Sequence, residues 1–216
     1  MTTIDAKSLD LKALNSMLKT SVNGAAVKVR NADHIDGLGA GFKHGEILVE
    51  SDVGDYVGVL NAGAVVHVTQ NAGKYVGDNM TAGVIVIEGD ADYGAGQYCY
   101  GGTLVIRGNA GDFTATMNKG ATIIVNGNVG DEVGTYMLKG DLVIVGNAGK
   151  NFANYLIRGS VYIGGQWESM GHNAKLEPLS DADKTKLRSY FDTYEIKADP
   201  LAFKKIVAAS EKPFYN

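Results

Sequence analysis

The sequence predicts an all-β fold, a single-stranded parallel β-helix of about seven coils with short flanking α-helices. Three observations carry that expectation. First, steps of 19 residues from Asp52 land on Asn71, Asp90, Asn109, Asn128 and Asn147, and each landing is followed by Val or Ala and, in every copy but one, by glycine. Second, β-rich triplets recur at the same period: Ile47-Leu48-Val49, Val66-His67-Val68, Ile85-Val86-Ile87, Leu104-Val105-Ile106, Ile123-Ile124-Val125, Leu142-Val143-Ile144 and Val161-Tyr162-Ile163. Third, 29 of the 216 residues are glycine, about twice the usual share, whereas the three prolines (Pro178, Pro200, Pro213) all follow the repeat. A unit of 19 residues is shorter than a βαβ unit of about 30 or a propeller blade of about 40. An apolar period of 2, with glycine in every copy, argues against helical repeats. One coil of a β-helix remains, and seven coils stacked at about 4.8 Å make a rod roughly 30–35 Å long.

Taken in chain order, residues 1–20 read as an N-terminal helical cap. Leu11, Leu14 and Leu18 share one face of a helix over residues 8–19, with Ser8 or Asp10 as its N-cap. The β-helix domain spans 21–165, starting with an imperfect copy at Asn31-Ala32-Asp33 that is separated from the next by a two-residue insertion. Within each triplet the outer residues share one side of a strand and point inward. The column Asp52, Asn71, Asp90, Asn109, Asn128, Asn147 is expected to bond its own turn and to form a ladder between coils. Glycine and asparagine are expected at corners that need positive φ. Residues 166–216 read as a helical C-terminal tail. Ser180 and Asp183 form a variant capping box ahead of Leu187, Tyr190, Phe191 and Tyr194. Asp199-Pro200 begins a second helix with Phe203, Ile206 and Val207 on its apolar face.

The middle residue of each triplet points outward: Leu48, His67, Val86, Val105, Ile124, Val143 and Tyr162. A wet face would alternate with polar residues, so this stripe needs a cover, and the tail or another subunit can supply it. The most irregular corner is Gly89–Gly102, where Asp92 replaces the turn glycine and Gln97, Tyr98 and Tyr100 stand ready for contact. Tyr56, Tyr75 and Phe113 share a column that reads as an aromatic stack.

Chemistry is sparse. His34, His44, His67 and His172 pair with no second His or Cys at metal-ligand spacing. Cys99, the single cysteine, sits in a mixed packing column with Asn61, Met80, Asn118, Met137 and Leu156. Gly37-Leu-Gly39-Ala-Gly41 lacks the strand-to-helix setting of a dinucleotide site. No catalytic, cofactor-binding or metal residue is expected. A net charge of −4 without basic runs argues against nucleic acid, and no apolar run is long enough to span a membrane. The lone cysteine and a start without signal-peptide character point to a cytoplasmic setting.

The strand–Gly–Asn/Asp–Ala–Gly coils and the run Gly89–Gly102 resemble the GXGXG β-helix family, which includes the C-terminal part of the glutamate synthase large subunit and a subunit of formylmethanofuran dehydrogenase. Leu9–Asn15, Gly94–Gly102 with Thr103–Gly108, and Tyr162–Gly171 are most similar to its free-standing form, the small B-type subunit of N-methylglutamate synthase. Asp92, Ala115 and Ala153 depart from the family's glycine pattern. The resemblance implies a right-handed β-helix and a scaffolding subunit without its own active site. It also implies a hetero-oligomer with a glutaminase-like subunit and a synthase-like subunit that holds FMN and an iron–sulfur cluster. The reaction implied converts methylamine and glutamate to N-methylglutamate and ammonia.

Overall fold

The computed structural model describes residues 2–21 and 26–212. Its elements are β1 (Thr2–Asp5), α1 (Leu11–Ser21), β2 (Val27–Arg30), β3 (Glu46–Val49), β4 (Ala62–Val68), β5 (Ala82–Ile87), β6 (Thr103–Ile106), β7 (Lys119–Val125), β8 (Lys139–Ile144), β9 (Ser160–Ile163), β10 (Ala174–Glu177), α2 (Asp181–Thr193), a 3-10 turn at Pro200–Ala202 and β11 (Lys204–Ala208). All eleven strands form one sheet, ordered β1 through β9 and then β11 and β10. From β3 to β9 the pairing is parallel and advances 19 residues per strand, linking Leu48, His67, Val86, Val105, Ile124, Val143 and Tyr162 in one row. The period in the sequence is therefore the strand register.

The outer residues of every triplet point into the coil. Ile47, Val49, Val66, Val68 and their successors to Val161 and Ile163 are fully buried, and each contributes about 1.5–3 kcal/mol on leaving water. A second wall is narrower. Single parallel bridges join Val53 to Ala72, Ala72 to Ala91, Ala91 to Ala110 and Ala110 to Val129. Small side chains suit a wall where coils touch by one residue pair.

The third wall turns through left-handed backbone. Glycines serve there, as at Gly58 (φ +65) and Gly77 (φ +66), but aromatic residues take the same conformation: Tyr56 (φ 61), Tyr75 (φ 59) and Phe113 (φ 59). The corners therefore hold aromatic residues besides the Gly and Asn expected there, such as Asn79 (φ 55) and Asn151 (φ 52). A left-handed side chain costs about 1–2 kcal/mol. Between-coil hydrogen bonds hold these residues in place: Tyr56 N–H donates to Lys74 O at 2.7 Å, Tyr75 N–H to Tyr93 O at 2.8 Å and Phe113 N–H to Asp131 O at 2.9 Å. Their rings form the expected stack, with Tyr56 and Tyr75 centroids 4.8 Å apart. Where the column holds Gly94, the preceding Tyr93 supplies the ring, 5.6 Å from Tyr75 and 5.1 Å from Phe113. Gly94 is needed there, since a Cβ would lie 2.7 Å from the Tyr75 ring and from Gln97 Nε2.

Both ends depart from the sequence expectation. The N-terminal stretch is more than a helical cap, because β1 pairs in parallel with β2 and extends the ladder. Asp10 is the residue that caps α1, accepting from Ala13 N–H at 2.7 Å, and Leu14 and Leu18 are buried while Leu11 stays 39% exposed. In the tail, α2 begins at the predicted capping box, with both reciprocal Ser180–Asp183 bonds formed. Asp199 and Pro200 start only a 3-10 turn. Phe203, Ile206 and Val207 are not on a helix: Lys204–Ala208 is β11, antiparallel to β9 and β10. An open β9 edge offers unpaired backbone groups that a helix could not satisfy, and Ile206-Val207 suits a strand. Pro213 lies outside the described residues.

Candidate interaction face

The outward row of the sheet divides in two. Val105, Ile124, Val143 and Tyr162 have no exposed surface and pack against Leu187, Phe191, Ile196 and Phe203 of the tail. Of the two covers the stripe could take, the chain's own tail occupies this half, which removes these four residues from any free interface. Leu48, His67 and Val86 remain partly exposed.

A polar latch fixes the tail. Tyr162 Oη donates to Asp183 Oδ1 at 2.6 Å, and Lys205 Nζ donates to Asp183 Oδ2 at 3.1 Å. Burial pushes the Asp183 carboxyl up, but hydrogen bonds from Ser180, Tyr162 and Lys205 outweigh it and hold it well below the usual carboxylate range. Burial and the bond to Asp183 raise the Tyr162 phenol. Nearby, Lys186 Nζ and Tyr190 Oη donate to the two oxygens of Asp141, at 3.1 and 2.7 Å. Burial and that carboxylate push the Tyr190 phenol up to about 12. At the far end of α2, Arg107 donates to Tyr194 O, which places a cation at the negative end of the helix.

The residues singled out at the irregular corner separate. Gln97 is buried, Tyr98 is half-buried and Tyr100 is 54% exposed. Lys119 lies over the Tyr100 ring, 4.3 Å from its centroid, and over Tyr98 at 5.5 Å. Cys99 is fully buried and donates to Gly77 O at 3.1 Å. Burial pushes its thiol up to about 12, so it is no nucleophile near neutral pH.

The Asn/Asp ladder forms, with each side chain accepting from the next coil's backbone. Asp52 Oδ1 accepts from Asn71 N–H at 2.8 Å, and Asn71, Asp90, Asn109, Asn128 and Asn147 do the same for Asp90, Asn109, Asn128, Asn147 and Gln166. A second, aspartate ladder was not foreseen. Asp36, Asp55, Asp112 and Asp131 accept from the residue 19 positions on, and their own 19-residue spacing could have revealed it. The column breaks at Lys74, which cannot accept, and there Asp92 Oδ1 accepts from Tyr93 N–H at 2.7 Å. The broken glycine rule at Asp92 thus repairs a missing rung. Two buried asparagines were also read only as packing. Asn61 and Asn118 each bind the backbone of a bulge, with Nδ2 donating to Ala64 O or Ala121 O at 2.9 Å.

Among the described residues, no three His, Cys, Asp or Glu side chains come together as metal ligands, and no helix is long and apolar enough to cross a membrane. His67 Nε2 lies 2.7 Å from Glu88 Oε1 on the outward face.

In overall shape the chain is similar to one in the crystal structure of the formyltransferase/hydrolase complex (FhcABCD) from Methylorubrum extorquens in complex with methylofuran. The TM-score is 0.67 over 93% of this chain and 87% of that one, at 22% identity, a likeness of fold. No curated protein matches in sequence. Residues 93–199, just under half of the chain, match the family described as GXGXG motif.

Proposed function

We propose that this chain is a scaffolding subunit of a multi-subunit enzyme of the glutamate-synthase type, N-methylglutamate synthase in particular, and does not itself carry the reaction. The observation behind this reading is the outward row of the sheet: the tail seals Val105 to Tyr162, while Leu48, His67 and Val86 stay partly exposed beyond it. In this reading a glutaminase-like subunit and a synthase-like subunit with FMN and an iron–sulfur cluster bind the scaffold in the cytoplasm. The test is co-expression with those two subunits. A complex that copurifies with flavin absorbance and turns methylamine and glutamate into N-methylglutamate supports the reading. A chain that stays apart from them overturns it.

The second reading is a subunit of a formyl-transferring complex, favoured by the shape shared with a chain of the formyltransferase/hydrolase complex. Copurification with formyltransferase-type subunits, in place of the flavin-containing ones, would select it.

A further inference from the structure

We infer that the third wall docks a partner subunit that places an arginine side chain against Asp78, Gln97 and Thr116. This rests on the scaffolding reading and names a contact away from the sheet.

Among the described residues, two buried side-chain polar atoms have no hydrogen-bond partner: Asp78 Oδ1 and Thr116 Oγ1. Both belong to one column of the repeat, two coils apart, with Gln97 on the coil between. Backbone bonds set the three side by side. Asn79 N–H donates to Gln97 O at 3.0 Å, and Tyr98 N–H to Thr116 O at 2.9 Å. Gln97 and Thr116 are each 8% exposed. The Gln97 amide makes no hydrogen bond among the described residues either, and its Nε2 lies beside the Tyr75 ring in the space a Gly94 Cβ would fill. Other buried amides of the coil are bonded, as at Asn61 and Asn118. An unmade buried bond destabilises a fold, so a column of them marks a set that is completed from outside. Asp78 is itself only partly buried and its carboxylate turns on a soft torsion, so it can be met from that side.

The column selects the group that completes it. Asp78 needs a donor, and it has no ion pair among the described residues. Its Oδ2 accepts from Asn79 Nδ2 at 3.1 Å. Lys119, whose charge reaches it, is held elsewhere: its Nζ donates to Tyr100 Oη at 2.9 Å and lies over the Tyr98 and Tyr100 rings. Burial pushes the Asp78 carboxyl above its ordinary value, as befits a carboxylate with no cation at hand. Three partners strung over two coil spacings, about 10 Å, suit the wide five-donor fork of a guanidinium better than the compact ammonium of lysine. Tyrosines flank the column, Tyr56 being 40% exposed and Tyr100 54%. A guanidinium stacks on such rings, and tyrosine is enriched where subunits meet.

Charge along the wall agrees. Asp36, Asp55, Asp112 and Asp131, which edge the aromatic column, make no ion pair among the described residues, and Lys74 is the single cation in their row. On the sheet face, by contrast, Glu50 and Glu88 are paired within the chain. A second copy has little to offer as donor. Three of the four arginines, Arg30, Arg107 and Arg158, are held by acceptors of their own chain.

The experiment co-expresses the full-length chain with the glutaminase-like and synthase-like subunits. Photoactivatable benzoylphenylalanine replaces Tyr56, and the same residue at Ser189 on the exposed side of α2 serves as control. Crosslinked peptides are identified by mass spectrometry. The Tyr56 probe should label one partner peptide that contains arginine, at least tenfold over the control. Asp78→Asn keeps the shape and removes the charge. It should leave the free chain's melting temperature unchanged or higher and lower partner recovery at least tenfold. Alanine at the labelled arginine should lower recovery as much, with no further loss when combined with Asp78→Asn. Thr116→Val removes a hydroxyl that bonds nothing in the free chain, so it too should spare the melting temperature and weaken recovery. Labelling of a second copy, labelling of a peptide without arginine, or full recovery with both variants overturns this docking site and leaves the scaffolding reading standing. Failure of the unaltered chain to copurify overturns both.

Discussion

At the scale of single residues, the buried asparagines are the sharpest test of how the coils are held. Asn118 is fully buried; its Oδ1 accepts from Gly120 and Ala121 N–H while its Nδ2 serves Ala121 O. Asn118→Ala orphans those groups and should lower unfolding free energy by about 2–4 kcal/mol in urea titrations. Asn128→Ala removes one exposed ladder rung and should cost only about 0.5–1.5 kcal/mol. Tyr190 gives a pH signature. Its phenol is raised to about 12 by burial and by Asp141, above the ordinary 10 of an unfolded chain. Its contribution is thus complete below pH 10 and is lost as pH rises through the folded value. In a spectrophotometric titration, Tyr190 should ionise only when the tail is released, a step that Tyr190→Phe removes. The ladder was legible in the sequence because its residue type repeats. Asn118 was not, since its column also holds Met, Cys and Leu, and only the bulge in β7 shows what its amide is for.

At the scale of elements, the period-2 triplets made the sheet legible down to register. The tail was only half legible. Phe203, Ile206 and Val207 satisfy helical spacing, yet the open edge of β9 supplies hydrogen bonds that decide for a strand. The cover of the outward stripe was equally undecidable from sequence, because an apolar row looks the same under a tail or under a partner. Phe191→Ala should destabilise by about 3–5 kcal/mol, and the loss should appear first as tail release in hydrogen exchange. Acid should act through Asp183. Its carboxyl is held below the unfolded value, so its contribution is complete above the ordinary carboxylate pKa and is lost as pH falls through the folded one. Tail docking should therefore persist at pH 4 and fail only under stronger acid, and Tyr162→Phe should move that failure to higher pH. Hydrogen exchange of α2 against pH measures both.

At the scale of the whole molecule, each coil touches its neighbours through equivalent columns, so stability is close to a sum over coils. Excising residues 71–89 removes one full period and places Asp90 over Asp52 in the ladder. The shortened chain should still fold, with its long dimension reduced by about 5 Å in X-ray scattering. Excising a single residue from the middle of a strand would turn the outward residues after it inward and should abolish folding. The ladder also has a direction. Every acceptor from Asp52 to Asn147 belongs to the earlier coil and every donated N–H to the later one. As the chain leaves the ribosome, each new turn meets a row of oxygens already in place. The molecule is thereby suited to being wound in the order in which it is made, each finished turn serving as the template for the next.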